Sequence, residues 1–160
     1  MKKIIVSTIC TVALVTMVQA QTIKKVKITD VIKMADTATS PLIINFWASW
    51  CKPCVQELPW FEKVVADYQS KGVKLVLVSL DFAEDYPKGI ADFAKKKGYK
   101  STIVWLNETD ANMFCPKIDK TWEGTIPVTL MVNNAKKYRA FYNQQLPEAQ
   151  LVKAVKALVE

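Results

Sequence analysis

The chain has 160 residues, 51% of them hydrophobic, with 22 Lys and Arg against 15 Asp and Glu, a net charge of +7, four cysteines and no histidine. That length suits one ordinary domain with a real core and rules out dependence on a disulfide framework. The lysines are dispersed (Lys24, Lys25 and Lys27; Lys95–Lys97; Lys136 and Lys137). Without a basic stripe interleaved with aromatics, they argue against a nucleic-acid partner and read as a solvated surface with a mild preference for acidic partners.

Lys2 and Lys3, the apolar run Ile4–Val18 and the segment Val18-Gln19-Ala20 have the three-part layout of a secretory signal peptide. Fifteen helical residues reach about 22 Å, short of a hydrocarbon core of roughly 30 Å, so a retained anchor is the lesser reading. Residues 1–20 are therefore expected to be a signal, carrying Cys10 away with them. Residues 21–160 then form one domain of charge +5. Export would place the remaining cysteines where disulfides persist.

Along that domain, Ile23–Ile28 reads as a short strand, and Asp30 as the cap of a short helix over Val31–Asp36. Leu42–Trp47, apolar apart from Asn45, suits a strand buried on both faces. Val55, Leu58, Phe61, Val64, Val65 and Tyr68 recur at helical spacing, and that helix should end near Gly72. Val73–Leu80 is a strand, Pro87–Lys97 an amphipathic helix and Thr102–Leu106 another strand. Asn107–Gly124 reads as irregular, with a helical turn near Met113–Ile118. Pro127–Val132 and Lys136–Tyr142 form a hairpin, and Pro147 opens a final helix carrying Leu151, Val155 and Leu158. Strands alternate with helices and a hairpin follows, so the class is α/β with a mixed sheet flanked by helices.

Cys51 and Cys54, separated by Lys52 and Pro53, stand where the buried strand gives way to a helix. Unpaired N–H groups and the helix dipole favour a thiolate there, and a Cys-x-x-Cys thiol so placed can have a pKa near 7 against about 8.5 for a free thiol. The thiolate fraction at neutral pH rises roughly sixteenfold, while lower basicity removes about fivefold of intrinsic nucleophilicity. The main effect is therefore on redox poise. Cys54, one turn on, can reach Cys51 as a resolving thiol. A zinc site would need two further ligands, and only Cys115 remains as a thiol, with no histidine. A purely structural bridge over so short a loop would stabilise little.

Phe46-Trp47-Ala48-Ser49-Trp50-Cys51-Lys52-Pro53-Cys54, with Pro59 after it and Thr125-Ile126-Pro127 some seventy residues later, resembles the thioredoxin fold. Glu57-Leu58-Pro59 and Ser79-Leu80-Asp81 resemble its exported TlpA/ResA-type branch. The resemblance implies a thioredoxin-like α/β domain whose redox disulfide, Cys51–Cys54, is its only redox group, without a bound cofactor or metal. It implies a cis-proline at Pro127, with the Ile126 backbone left to pair with a substrate strand. Lys52 and Pro53 lie within the substrate-facing loop. Trp50 is expected to shape the entrance, and Trp122 to line the same groove.

Thioredoxins carry a buried aspartate where this chain has Asn45, and Glu57 is the replacement proton carrier implied by the branch. The alternative is a surface helix glutamate. Cys115 is either an inert buried thiol or a second resolving cysteine. Asn133–Lys136 replaces the Asp-Gly turn of relatives and is expected to affect only the hairpin. The implied activity is a monomeric, exported, periplasmic thiol–disulfide oxidoreductase acting on protein cysteines. The branch favours the reducing direction, with a membrane-bound electron donor and apocytochrome c as a client in cytochrome c maturation. A peroxiredoxin-type peroxidase would want a threonine three residues before the reactive cysteine, where Ala48 stands. A copper chaperone of this fold would use three residues between its cysteines and a histidine.

Overall fold

The computed structural model describes residues 22–160; the signal-peptide expectation for residues 1–20, with Cys10, lies outside the described residues. In chain order the elements are β1 (Lys24–Val26), α1 (Ile28–Asp36), β2 (Leu42–Trp47), α2 (Lys52–Asp67), β3 (Lys74–Ser79), α3 (Lys88–Lys97), β4 (Thr102–Leu106), α4 (Ala111–Ile118), β5 (Val128–Asn133), β6 (Tyr138–Tyr142) and α5 (Glu148–Val159). The strands form one sheet in the order β1-β4-β3-β2-β5-β6. The β1–β4, β4–β3 and β3–β2 pairs are parallel, whereas β2–β5 and β5–β6 are antiparallel. This is the thioredoxin-like mixed sheet that the sequence pattern and resemblance imply. Among the described residues no helix is long and apolar enough to cross a membrane.

Alternation along the strands divides the interior into two layers. Ile43 and Trp47 of β2 pack with Leu75 and Leu77 of β3, Ile103 and Trp105 of β4 and Met131 of β5 beneath α2, α3 and α5. Ile44 and Phe46 point the other way, joining Val78, Val104 and Leu130 beneath α1 and α4. Every residue of β2 and β5 is buried, in keeping with their positions inside the sheet rather than at its edges. Gly72 and Gly98 take φ of 74° and 73°, the left-handed conformation that closes the turns after α2 and α3.

Two helices differ from expectation in their extent. α1 begins at Ile28, capped by Lys27, and Asp30 serves from inside the first turn, its carboxylate accepting the Lys27 N–H at 2.8 Å. The Glu108 carboxylate accepts the Ile28 N–H at 2.6 Å, a partner eighty residues away that no local pattern reveals. The helical turn expected near Met113–Ile118 is a longer helix, α4, which begins at Ala111 and is capped by Asp110, whose carboxylate accepts the Asn112 N–H at 3.0 Å. Pro116 lies inside that helix, but burial of Phe114, Cys115 and Ile118 against the sheet outweighs its local cost.

The turn after β5 does more than close the hairpin. Asn134 Nδ2 donates to the carbonyls of Ala35, Asp36 and Ala38 at 2.9, 3.1 and 3.0 Å, satisfying the end of α1. Asn133 Nδ2 donates to Leu158 O at 2.9 Å, tying down α5. Each net hydrogen bond contributes about 0.5–1.5 kcal/mol. Asn134→Ala should therefore lower the unfolding free energy by about 1–2 kcal/mol in a denaturant titration, where a change confined to the hairpin would leave it within about 0.5 kcal/mol.

Candidate active site

The chain leaves the buried strand β2 at Trp47 and must turn within four residues to start α2. The turn is fastened to the end of β3: Leu80 N–H donates to Trp47 O at 2.8 Å, and the Asp81 carboxylate accepts the Ser49 N–H and hydroxyl at 2.8 and 2.6 Å. The other Asp81 oxygen accepts the Ser79 hydroxyl at 2.6 Å. Trp105 Nε1 donates to Asp81 O at 2.8 Å, and the Trp105 ring stacks on Tyr86 with centroids 4.5 Å apart. Asp81 is 4% exposed, so its carboxylate acts as an internal brace on the turn that carries Cys51.

Cys51 is the N-cap of α2, and its Sγ accepts the Cys54 N–H at 3.3 Å. The two sulfurs are joined, with Cα atoms 5.3 Å apart. Cys51 is 5% exposed and Cys54 not at all, so exchange with an outside thiol must begin at Cys51. The Ile126–Pro127 bond is cis, as the resemblance implied, and Ile126 O lies 3.8 Å from Cys51 Sγ. Lys52 and Pro53 are exposed at the start of α2, and Gln145 Nε2 donates to Pro53 O at 2.9 Å. Trp50 is 54% exposed and stacks on Phe82, itself 58% exposed, with centroids 5.8 Å apart.

Two sequence expectations need correction or sharpening. Trp122 does not line the groove: it is 1% exposed, packed against Phe46, Phe114 and Phe141 on the far layer of the core. Its large apolar ring is better satisfied there, and it touches the site only indirectly, through Nε1 donating to Thr125 O at 2.7 Å. Cys115 is buried in that same far layer, across the sheet from Cys51 and Cys54. Burial pushes its thiol up to about 11, and it cannot act as a second resolving cysteine in this conformation.

Glu57 is no surface glutamate. It is fully buried one turn after Cys54, on the layer of the core that holds both cysteines. Asn45 Nδ2 donates to Glu57 Oε1 at 2.8 Å, and the Leu146 N–H donates to Oε2 at 2.8 Å. Asn45 Nδ2 also donates to the hydroxyl of Thr129, its register partner on β5, at 3.0 Å. Burial raises the Glu57 carboxyl from its ordinary 4.5 to about 7, with the Leu146 and Asn45 donors pulling in the opposite direction. The brace at Asp81 and Ser49 and the strap at Gln145 and Leu146 escape sequence reasoning, because each spans dozens of residues. A lone asparagine inside an otherwise apolar strand was the visible signal for the Glu57 network.

Because the buried acid is favoured in its neutral form, the folded chain holds this proton more tightly than the unfolded one. The stabilising effect is complete below about pH 4.5, declines as pH rises toward about 7, and is absent above it. With no histidine in the chain, few other groups obscure that window. The oxidised protein should therefore lose on the order of 3 kcal/mol of unfolding free energy across it, relative to Glu57→Gln. Parallel pH curves for the two proteins would contradict the burial of an ionisable Glu57.

Solved structures similar to this one share its fold. A thioredoxin-related protein of Neisseria meningitidis serogroup B superposes with a TM-score of 0.64 at 25% identity, over 77% of this chain and 88% of that one. A thioredoxin-like protein of Porphyromonas gingivalis does so with 0.58 at 30% identity, over 77% and 78%. Among curated relatives, the thiol-disulfide oxidoreductase ResA of Oceanobacillus iheyensis is 42% identical over 53 residues, 33% of this chain and 28% of that protein. The sporulation thiol-disulfide oxidoreductase A of Bacillus subtilis is 43% identical over 62 residues, 39% of this chain and 38% of its own. The match thus spans well under half the length of these two relatives. The family model of the AhpC/TSA family runs much further, over residues 15–141, and so takes in β2, the paired cysteines, the Asp81 brace and the cis-proline together; the chain belongs to the AhpC/TSA family, in a thioredoxin-like fold.

Proposed function

We propose that the protein is an exported thiol–disulfide oxidoreductase that reduces disulfides in other proteins. The observation that carries this reading is the Cys51–Cys54 bridge at the N-terminus of α2, with Cys51 beside the Ile126 carbonyl and a buried Glu57 one turn behind Cys54. Its relatives named thiol-disulfide oxidoreductases support it. So does the apolar run Ile4–Val18, which fits delivery to a compartment such as the periplasm.

In the reducing direction the Cys51 thiolate attacks one sulfur of a client disulfide, and the other client sulfur leaves as a thiolate and takes a proton from water. The client is then joined to Cys51 as a mixed disulfide. Cys54 next gives its thiol proton to the Glu57 carboxylate and attacks Cys51 Sγ, releasing the second client sulfur. Two electrons pass to the client, and the Cys51–Cys54 bridge returns. Ile126, at the cis-proline, offers backbone to an extended client segment, while Trp50, Lys52 and Pro53 form the exposed rim that meets it. A membrane-bound donor resets the dithiol, and apocytochrome c is the client class favoured by the ResA-like relationship.

A Cys54→Ser variant, expressed in the native host, should accumulate mixed disulfides through Cys51, and Cys51→Ser should accumulate none. Failure to trap any protein would count against a protein client. The reduction potential should lie nearer −270 mV, the thioredoxin value, than −120 mV, that of strong oxidants. A value at the oxidising end would reverse the proposed direction. Glu57→Gln should slow resolution of a preformed mixed disulfide on the order of a hundredfold near neutral pH, while the first attack by Cys51 changes far less.

A further inference from the structure

Glu57 is surrounded by donors. Its Oε1 faces Asn45 Nδ2–H and its Oε2 faces the Leu146 N–H, both at 2.8 Å. Ionised carboxylates only accept hydrogen bonds, so this arrangement fits the charged form. A protonated Glu57 has a hydrogen to place, and the Leu146 N–H cannot accept it. Asn45 can, because the same amide carries an acceptor on its other side. That acceptor, Asn45 Oδ1, is fully buried and has no hydrogen-bond partner.

We propose that the Asn45 side-chain amide reverses as Glu57 changes protonation, donating to the carboxylate and accepting from the acid, which makes Asn45 the positioning residue of the proton-carrying group. A half-turn about the terminal torsion of asparagine exchanges Oδ1 and Nδ2 within a broad, two-fold well. Thr129 suits both states. Its hydroxyl accepts from Asn45 Nδ2 at 3.0 Å in the present orientation and donates to Oδ1 after reversal. Each orientation keeps two hydrogen bonds and leaves one end of the amide unpaired, so the protonation of Glu57 decides between them.

The groups around Glu57 leave that decision to few partners. Cys54 lies one turn earlier on α2 and Cys51 caps the same helix. β2 contributes Asn45, β5 contributes Thr129 through it, and the segment before α5 contributes only the Leu146 backbone. None of these partners from the other elements carries a charge. The inference rests on the proposed function for its place in the reaction. When Cys54 attacks the mixed disulfide, its S–H bond breaks and the proton goes to Glu57. The sulfur electron pair forms the bond to Cys51, and the client sulfur departs with the pair of the broken bond. Reversal of Asn45 then gives the new Glu57 O–H an acceptor.

The test uses the oxidised, ¹³C,¹⁵N-labelled full chain, following the Asn45 side-chain NH₂ protons and the Glu57 carboxyl carbon by NMR from about pH 5 to about pH 9, a range that brackets the Glu57 value of about 7. We expect the NH₂ protons to move upfield, toward the shifts of an unbonded amide, as pH falls. Their midpoint should coincide with that of the Glu57 carboxyl. In Glu57→Gln, the glutamine NH₂ replaces the acid O–H as donor, so Asn45 should show the reversed, upfield signature at every pH. NH₂ shifts that stay fixed while Glu57 titrates, a different midpoint, or a Glu57 that remains ionised throughout would each overturn the inference. So would an Asn45 in Glu57→Gln that keeps the signature of the high-pH wild type. Since the oxidised protein is observed without a client, a co-titrating amide in a protein that exchanges no disulfides would sink the proposed function and leave this inference standing.

Discussion

The site depends on how the chain passes from a strand buried on both faces to a helix whose first turn must stay accessible. β2 cannot shift without disturbing both layers of the core, since Ile43 and Trp47 are committed to one and Ile44 and Phe46 to the other. That fixes where the strand ends. The brace from Asp81 to Ser49 then fixes the path of the next four residues, so Cys51 arrives at the helix start in a defined position. The Cys54 N–H and the positive end of the helix lie beside the Cys51 sulfur only because the turn before them is held.

A second constraint acts from below. Placing Glu57 in the core favours its neutral form, and two donors hold it back from full neutrality. The result is a carboxyl balanced between its two states under ordinary conditions, one helical turn from the less accessible cysteine. Gln145 and Leu146 bind the segment before α5 to the same short stretch, one at the Pro53 carbonyl and one at the Glu57 carboxylate. The active turn is thus gripped from β3 on one side and from the approach to α5 on the other.

The sequence carried the architecture well where patterns are local. The apolar run of β2, the helical spacing from Val55 to Tyr68, the Cys-x-x-Cys pair and the glycines at 72 and 98 all announce their roles within a few residues. α4 was legible only as a helical turn near Met113–Ile118, because Pro116 argues locally against a longer helix, whereas its stability comes from Phe114, Cys115 and Ile118 meeting the sheet. Trp122 was misplaced because closeness to Pro127 in sequence says nothing about which face of the sheet a side chain joins. The functions of Asp81, Asn134 and Leu146 rest on contacts between segments far apart in the chain, and a single sequence does not record such pairings.

The division of the interior by the sheet has a consequence for how the chain matures. Cys51 and Cys54 sit three residues apart on one layer, and Cys115 belongs to the other, its sulfur buried and reluctant to ionise. Once the strands have assembled, a wrong bridge to Cys115 would require a sulfur to pass through a closed wall of hydrogen-bonded backbone. A free thiol in a protein that carries an exchangeable disulfide is ordinarily a hazard of scrambling, and here the fold itself quarantines Cys115.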